Sequence, residues 1–171
     1  MNLKEAFEEA KNFGTPAVFR NVFPKVPSWE SFTTHLASAV KEPNTVRTFH
    51  EHYHVVEVYE HNLESVVATY EGYDEVYTAL NDANSLGIMR RPVMLLATVI
   101  GTPELQRHRD PCDQMHWACV GVESWKVWVS EDKVLEFILN PGDVIFIPVG
   151  LYHQVNSVTP RAGITWSANI P

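Results

Sequence analysis

The chain has 171 residues, 45% hydrophobic and 20% charged, which suits one soluble globular unit with a sizeable core. A formal net charge of −8 disfavours nucleic-acid binding across the whole surface, leaving room only for a local basic patch such as Arg90-Arg91 or Arg107/Arg109. The two cysteines, Cys112 and Cys119, give no disulfide framework. No signal peptide or membrane-length apolar run is read, so a cytoplasmic protein without a membrane partner is expected.

Leu3, Phe7 and Ala10 recur at helical spacing within residues 2–13, and Gly14 is placed to end that helix. Thr15-Pro16 leads into Ala17-Val18-Phe19, read as an edge strand. Ser28 can cap a second helix carrying Phe32, Leu36 and Val40, which Pro43 stops. Residues 45–59 are rich in β-branched and aromatic side chains and read as β. His50, His52 and His54 alternate within them. Three imidazoles on one strand face could bind a metal, but no carboxylate or cysteine is locked to that spacing, and a half-exposed polar face is the favoured reading. Residues 62–84 are the most helical region. Leu63, Val66, Val67 and Tyr70 form one stripe, and Val76, Tyr77 and Leu80 another after Gly72, giving two short helices or one helix broken at Gly72.

From Pro92 the pattern changes. Val93–Ile100, Leu105–Asp110, Met115–Val129, Val134–Leu139, Val144–Ile147, His153–Val158 and Gly163–Ile170 read as strands separated by turn residues such as Asn140-Pro141-Gly142-Asp143 and Pro148-Val149-Gly150. Many short strands at this spacing argue for a sandwich or barrel. The expected fold class is therefore mainly β, a barrel with N-terminal helices. A single domain spans 1–171, with 1–91 as helical and edge-strand decoration and 92–171 as the barrel core.

Chemistry concentrates at the start of Arg107–Trp128. His108 and Asp110 stand two residues apart, so in extended backbone their side chains share a face. Such pairs are common on solvated strand faces, and a second segment gives this one its weight. Gly142-Asp143 turns the chain, a buried apolar strand follows, Pro148-x-Gly150 turns it again, and His153 opens the next strand. In a double-stranded β-helix this placement brings His153 opposite His108 and Asp110. Two histidines and one carboxylate then form a facial triad for one metal ion with open coordination positions. His116 reads as structural, pointing away from Glu123 if the strand from Met115 is regular. Trp117 and Trp166 read as core, and Cys112 as incidental.

The pattern His-x-Asp-Pro-x-Asp-Gln from His108, then Gly121-x-x-x-Trp125, then Pro-Gly-Asp-x-x-x-Ile-Pro-x-Gly-x-x-His ending at His153, resembles the JmjC and cupin-like hydroxylases. The likeness covers roughly residues 92–171, with a weaker match over Thr15–Arg20 and the Trp29-containing helix. It implies a double-stranded β-helix (a cupin or jelly-roll barrel) and an Fe(II)- and 2-oxoglutarate-dependent dioxygenase. It also implies His108, Asp110 and His153 as the iron ligands and catalytic centre. Gln114 stands where these enzymes often have an asparagine near the metal-bound keto acid. Asn169, in a segment similar to the family's final core strand, matches a position that contacts the keto-acid carboxylate. The implied partners are the keto acid and O2. The substrate (a protein side chain, a small molecule or a nucleotide) and the oligomeric state are not encoded.

One departure stands out. The family's next strand usually reads Gly-x-Lys-x-Trp, its lysine binding the distal carboxylate of 2-oxoglutarate, whereas this chain has Gly121-Val122-Glu123-Ser124-Trp125. One carboxylate cannot clamp another unless one is protonated or a cation lies between them. Arg161 can supply that cation, ahead of Lys126, which faces away from Glu123 in an unbulged strand. Glu123 can instead bridge to a basic residue, or the co-substrate is not 2-oxoglutarate. Two other readings stay open: a cupin metalloenzyme whose substrate itself chelates the ion, and a non-catalytic cupin-fold binding module.

Overall fold

The computed structural model describes residues 3–39, 41, 46–48, 55–58, 67–74, 78, 93–97 and 106–167. Helix α1 spans Leu3–Asn12 and ends at Gly14, whose φ of 59° suits a glycine. Strand β1 (Ala17–Phe19) follows, then helix α2 (Trp29–Ala39), where the Ser28 hydroxyl accepts from the Ser31 amide at 3.2 Å. Neither described helix is long and apolar enough to cross a membrane.

The strands that follow are β2 (Val46–Thr48), β3 (Val55–Val58), β4 (Val93–Ala97), β5 (Gln114–Val120) and β6 (Glu123–Ser130). Strands β7 (Lys133–Leu139), β8 (Val144–Ile147), β9 (Tyr152–Ser157) and β10 (Arg161–Ser167) complete the order. Seven form one antiparallel sheet in the order β1-β8-β5-β10-β4-β3-β2, and β7-β6-β9 form the second. The short β1 lies at the sheet edge beside β8, as its sequence suggests.

Alternation along the strands makes two cores. Met115, Trp117 and Cys119 of β5, Val144 and Phe146 of β8, and Ala162, Ile164 and Trp166 of β10 face the helices. There Phe23 stacks on Trp117 with ring centroids 3.8 Å apart, and Phe7 meets Phe146 edge-on. Burying each such ring contributes roughly 1.5–3 kcal/mol. The opposite faces close over a second core, with Ala118, Ile145 and Ile147 from one sheet and Trp125, Val127, Leu139 and Val155 from the other. Trp117 and Trp166 are thus core residues on the helix side, outside the barrel interior.

Asp143 ties the N-terminal segment to the barrel. Its carboxylate accepts from the Asn21 amide (2.9 Å), the Asn140 amide (3.0 Å) and the Arg20 guanidinium (2.6 Å).

Two expectations need correction. The run Met115–Val129 is two strands, because Gly121 takes a φ of 79° and reverses the chain between β5 and β6. A Cβ there would lie 2.8 Å from Thr159 Oγ1 and collide with the Pro160 carbonyl, so only glycine fits the turn. The β reading of 45–59 holds, with two strands, β2 and β3, which pair antiparallel with Val46 opposite Val58. The described part of Leu105–Asp110 is not a regular strand; His108 alone forms an isolated bridge, with His153. His50, His52, His54, Val40, Pro43 and most of the region expected to be helical over 62–84 lie outside the described residues.

Candidate metal centre

His108 and His153 meet through their backbones. The His108 amide donates to the His153 carbonyl at 3.1 Å and the His153 amide donates to the His108 carbonyl at 2.7 Å. The rings lie with centroids 4.4 Å apart. Asp110, one residue past the bridge's flank, reaches the same point, with Oδ2 3.3 Å from His153 Nε2. One ligand atom from each of His108, Asp110 and His153 lies within 4.8 Å of the others, close enough for one ion to reach all three.

The imidazoles are oriented for that use. His108 Nδ1 lies 2.8 Å from the Gln106 carbonyl, and His153 Nδ1 lies 3.1 Å from the Leu151 carbonyl. A carbonyl only accepts, so each Nδ1 carries the proton and each Nε2 keeps its lone pair for an ion. Burial works against ionising Asp110, but when protons rather than an ion occupy the two Nε2 atoms, the hydrogen bond and charge of His153, with the charge of His108, hold its carboxyl below the usual range.

The turn before His153 is pinned to the same segment. The Gly150 amide donates to the Asp110 carbonyl (3.1 Å), and the Val149 amide donates to the buried Asp113 carboxylate (2.8 Å). Asp113 touches none of the three candidate ligands, yet it fixes the loop that delivers one of them. Asp113→Ala is therefore expected to weaken divalent-ion binding by about 10–100-fold, the range for groups that orient ligands. Titrating the variant with Co(II) checks this.

A polar strip runs along the inner faces of β5 and β10. Ser167 donates to Gln114 Oε1 at 2.7 Å, and Gln114 Nε2 reaches Cys112 Sγ at 3.3 Å. Further along, His116 Nδ1 lies 2.8 Å from Thr165 Oγ1. Arg161, the first residue of β10, and Glu123, the first of β6, are 1% and 0% exposed. Glu123 Oε1 accepts from Arg161 Nη1 at 3.1 Å and lies 3.0 Å from His116 Nε2, while Oε2 accepts from Trp125 Nε1 at 2.7 Å. Burial pushes the Glu123 carboxyl up, but Arg161, His116 and the hydrogen bonds from His116 and Trp125 more than offset it, leaving a pKa of about 2.

His116 thus faces Glu123, contrary to the regular-strand expectation. The turn at Gly121 resets the alternation, so His116 of β5 and Glu123 of β6, on facing sheets, share the interior. Lys126 does point away, to Glu136 at 3.2 Å. Trp125 stands between the two polar groups, its ring 6.1 Å from that of His153 and 5.2 Å from that of His116. Outside, Arg107 lies over the Trp128 and Tyr152 rings at 4.4 and 4.6 Å. Asn169 lies outside the described residues.

No protein-family model matches the chain, and no curated protein matches it in sequence. Solved structures do match. YcfD from Escherichia coli is 16% identical with a TM-score of 0.69, over 100% of this chain and 54% of that one. The same ribosomal oxygenase in complex with cobalt and 2-oxoglutarate is 15% identical with a TM-score of 0.62, over 91% and 48%. SnoN, a non-heme alpha ketoglutarate-dependent epimerase from nogalamycin biosynthesis, is 10% identical with a TM-score of 0.63, over 96% and 83%. The chain spans about half the length of the YcfD structures it matches. It has the cupin-like fold that these proteins share, the barrel its sequence implies.

Proposed function

We propose that the chain is an Fe(II)- and 2-oxoglutarate-dependent oxygenase, a hydroxylase in the reading favoured here, working as one cupin-like unit in the cytoplasm. The observation that carries this is the convergence of His108, Asp110 and His153 within 4.8 Å. Two neutral nitrogens and one carboxylate on one side of an ion leave its other positions open, the donor set used for ferrous oxygen chemistry. The matched fold, seen in YcfD with cobalt and 2-oxoglutarate, supports the same reading.

The bound ion and keto acid would supply the oxidising chemistry. The chain's own residues do the rest. His108 and His153 present Nε2, with their Nδ1 protons held by backbone carbonyls. Asp110 supplies the compensating negative charge. Gln114 and Ser167 line the interior polar strip that a keto acid would follow, with Asn169 following in sequence. Arg161, beside Glu123, supplies the cation for its second carboxylate, the role a lysine has in the family pattern. Trp125, Val127 and Val155 pack in the apolar core between the two sheets. The substrate is a protein side chain, a small molecule or a nucleotide.

Anaerobic addition of Fe(II) and 2-oxoglutarate tests the assignment. A metal-to-ligand charge-transfer band is expected in the visible, absent without either component. Bound iron with no band on adding keto acid overturns the keto-acid reading. The Glu123–Arg161 pair favours a second reading in that event, a cupin metalloenzyme whose substrate chelates the ion directly. Oxygen uptake without 2-oxoglutarate would identify it.

A further inference from the structure

The edges of the two sheets are built differently. Among the described residues the first sheet ends in β1 and β2, strands of three residues each, and short edge strands guard against pairing with another chain. In the second sheet β9 is bridged at His153 by His108. The other edge is β7, seven residues long, with β6 on one side only. Among the described residues the group that meets its open side is Arg20, which donates to the Ile138 carbonyl at 2.6 Å. In an antiparallel ladder the amide and carbonyl of one residue point the same way, and the direction alternates along the strand. Val134, Glu136 and Ile138 therefore all present their main-chain groups to the open side.

The side chains of this edge are arranged symmetrically about Glu136. Two residues away on either side, on the outer face, stand Val134 and Ile138, 39% and 47% exposed. One residue away on either side, on the inner face, stand Leu135 and Phe137, both half-buried. We propose that β7 is the contact surface for a second copy of this chain, the two β7 strands pairing antiparallel about a twofold axis at Glu136.

The register follows from the sequence of the strand. With Glu136 at the axis, Val134 lies opposite Ile138 on the outer face and Leu135 opposite Phe137 on the inner face, so apolar side chains meet on both. Cross-strand pairs of this kind are the unit of sheet stabilisation. Centring on Leu135 instead would set Val134 against Glu136 and Lys133 against Phe137, and centring on Phe137 would set Glu136 against Ile138. The Glu136 axis also brings the outward main-chain groups together, Val134 with Ile138 and Glu136 with its own copy. A carbonyl has two lone pairs, so Ile138 can accept from the partner's Val134 and keep Arg20. The two Glu136 carboxylates meet at the axis, an unfavourable contact between bare charges. Each, however, has its own Lys126 at 3.2 Å. Behind Val134 the outer face continues through Trp128 to Tyr152, which lie opposite one another in register, so the joined sheets carry one apolar row. The contact is independent of the oxygenase reading, because His153 faces the inside of β9 and stays uncovered.

Sedimentation velocity over a series of protein concentrations tests the pairing. A monomer–dimer equilibrium that dissociates on dilution is expected, and Ile138→Lys or Val134→Lys, each placing a charge in the contact twice, should leave monomer at every concentration. Both side chains are exposed, and circular dichroism of the variants checks that the fold is kept. The register has its own test. The axis sets residue 136 against its copy with Cα atoms about 5.5 Å apart, inside the span a disulfide bridges. Glu136→Cys should therefore form a covalent dimer on mild oxidation. Lys126→Cys, one strand back and about 14 Å from its copy by three strand spacings, should not. The native Cys112 and Cys119 are buried and present in both variants. Monomer at all concentrations, a dimer that survives Ile138→Lys, or cross-linking as ready at 126 as at 136 overturns the proposal.

Discussion

Asp110→Ala is expected to abolish stoichiometric Fe(II) binding and, with it, any oxygenase activity, while the fold survives. Asp110 is the one carboxylate in the candidate ligand set, so its loss leaves a divalent ion held by two neutral imidazoles. Removing a group that merely orients a ligand costs about 10–100-fold in affinity, and removing an anionic ligand should exceed the upper end of that range. The backbone tells the other half. The Asp110 carbonyl still accepts from Gly150, and the His108–His153 bridge is made by main-chain atoms that an alanine at 110 retains. Anaerobic Fe(II) or Co(II) titration, with denaturant unfolding of the metal-free variant beside it, checks both halves. Unchanged stoichiometric binding would remove Asp110 from the ligand set.

Glu123→Ala is expected to destabilise the protein by about 3–5 kcal/mol, the largest stability effect foreseen for a single change here. The variant leaves the buried Arg161 guanidinium, and the donors of His116 and Trp125, without the carboxylate that compensates them. If the loss reflects an uncompensated charge rather than lost packing, Glu123→Leu combined with Arg161→Met should recover most of it, because replacing both members of a buried pair by apolar groups is often neutral or better. Urea unfolding of the single and double variants separates these outcomes. The same carboxylate sets an acid limit. Its folded pKa of about 2 lies below the ordinary 4.5, so its contribution is fully present above the unfolded value and is lost as pH falls from about 4.5 through about 2. A shift of this size corresponds to roughly 3 kcal/mol, and Glu123→Gln should flatten the unfolding midpoint against pH across that window.

The candidate metal site was legible because its information is local and periodic. His-x-Asp fixes two side chains on one face, and Pro148-x-Gly150 fixes the turn that delivers His153. The surroundings of Glu123 were less legible. From Met115 to Val129 the composition is continuously β-like, and the reversal needs only Gly121 in a left-handed conformation, between valines that suit a strand on either side. An isolated glycine in a strand pattern is the one local signal of that break. Missing it inverts the face of every residue beyond, which is why His116 seemed to point away from Glu123. The pairing of Arg161 with Glu123 was among the alternatives the sequence left open, but choosing it requires knowing that β6 and β10 meet inside one barrel. Residues 45–59 were legible in type but not in pairing. Propensity marks them as β, which β2 and β3 bear out, but the antiparallel pairing of the two strands is not a property that propensity encodes.

The main-chain bridge between His108 and His153 bears on which metal the protein carries. Because the two ligand-bearing segments are joined by hydrogen bonds of their own, the socket is finished before an ion arrives. A chelator should strip the ion without melting the protein, and exchange should proceed on the folded chain. A ready-made site of two nitrogens and one oxygen does little to override the intrinsic affinity order of divalent metals, in which Fe(II) ranks below Ni(II), Cu(II) and Zn(II). The ion found in purified protein would then record the metals it met during handling rather than the one it uses, and reconstitution under anaerobic, metal-controlled conditions becomes the meaningful starting point for any assay.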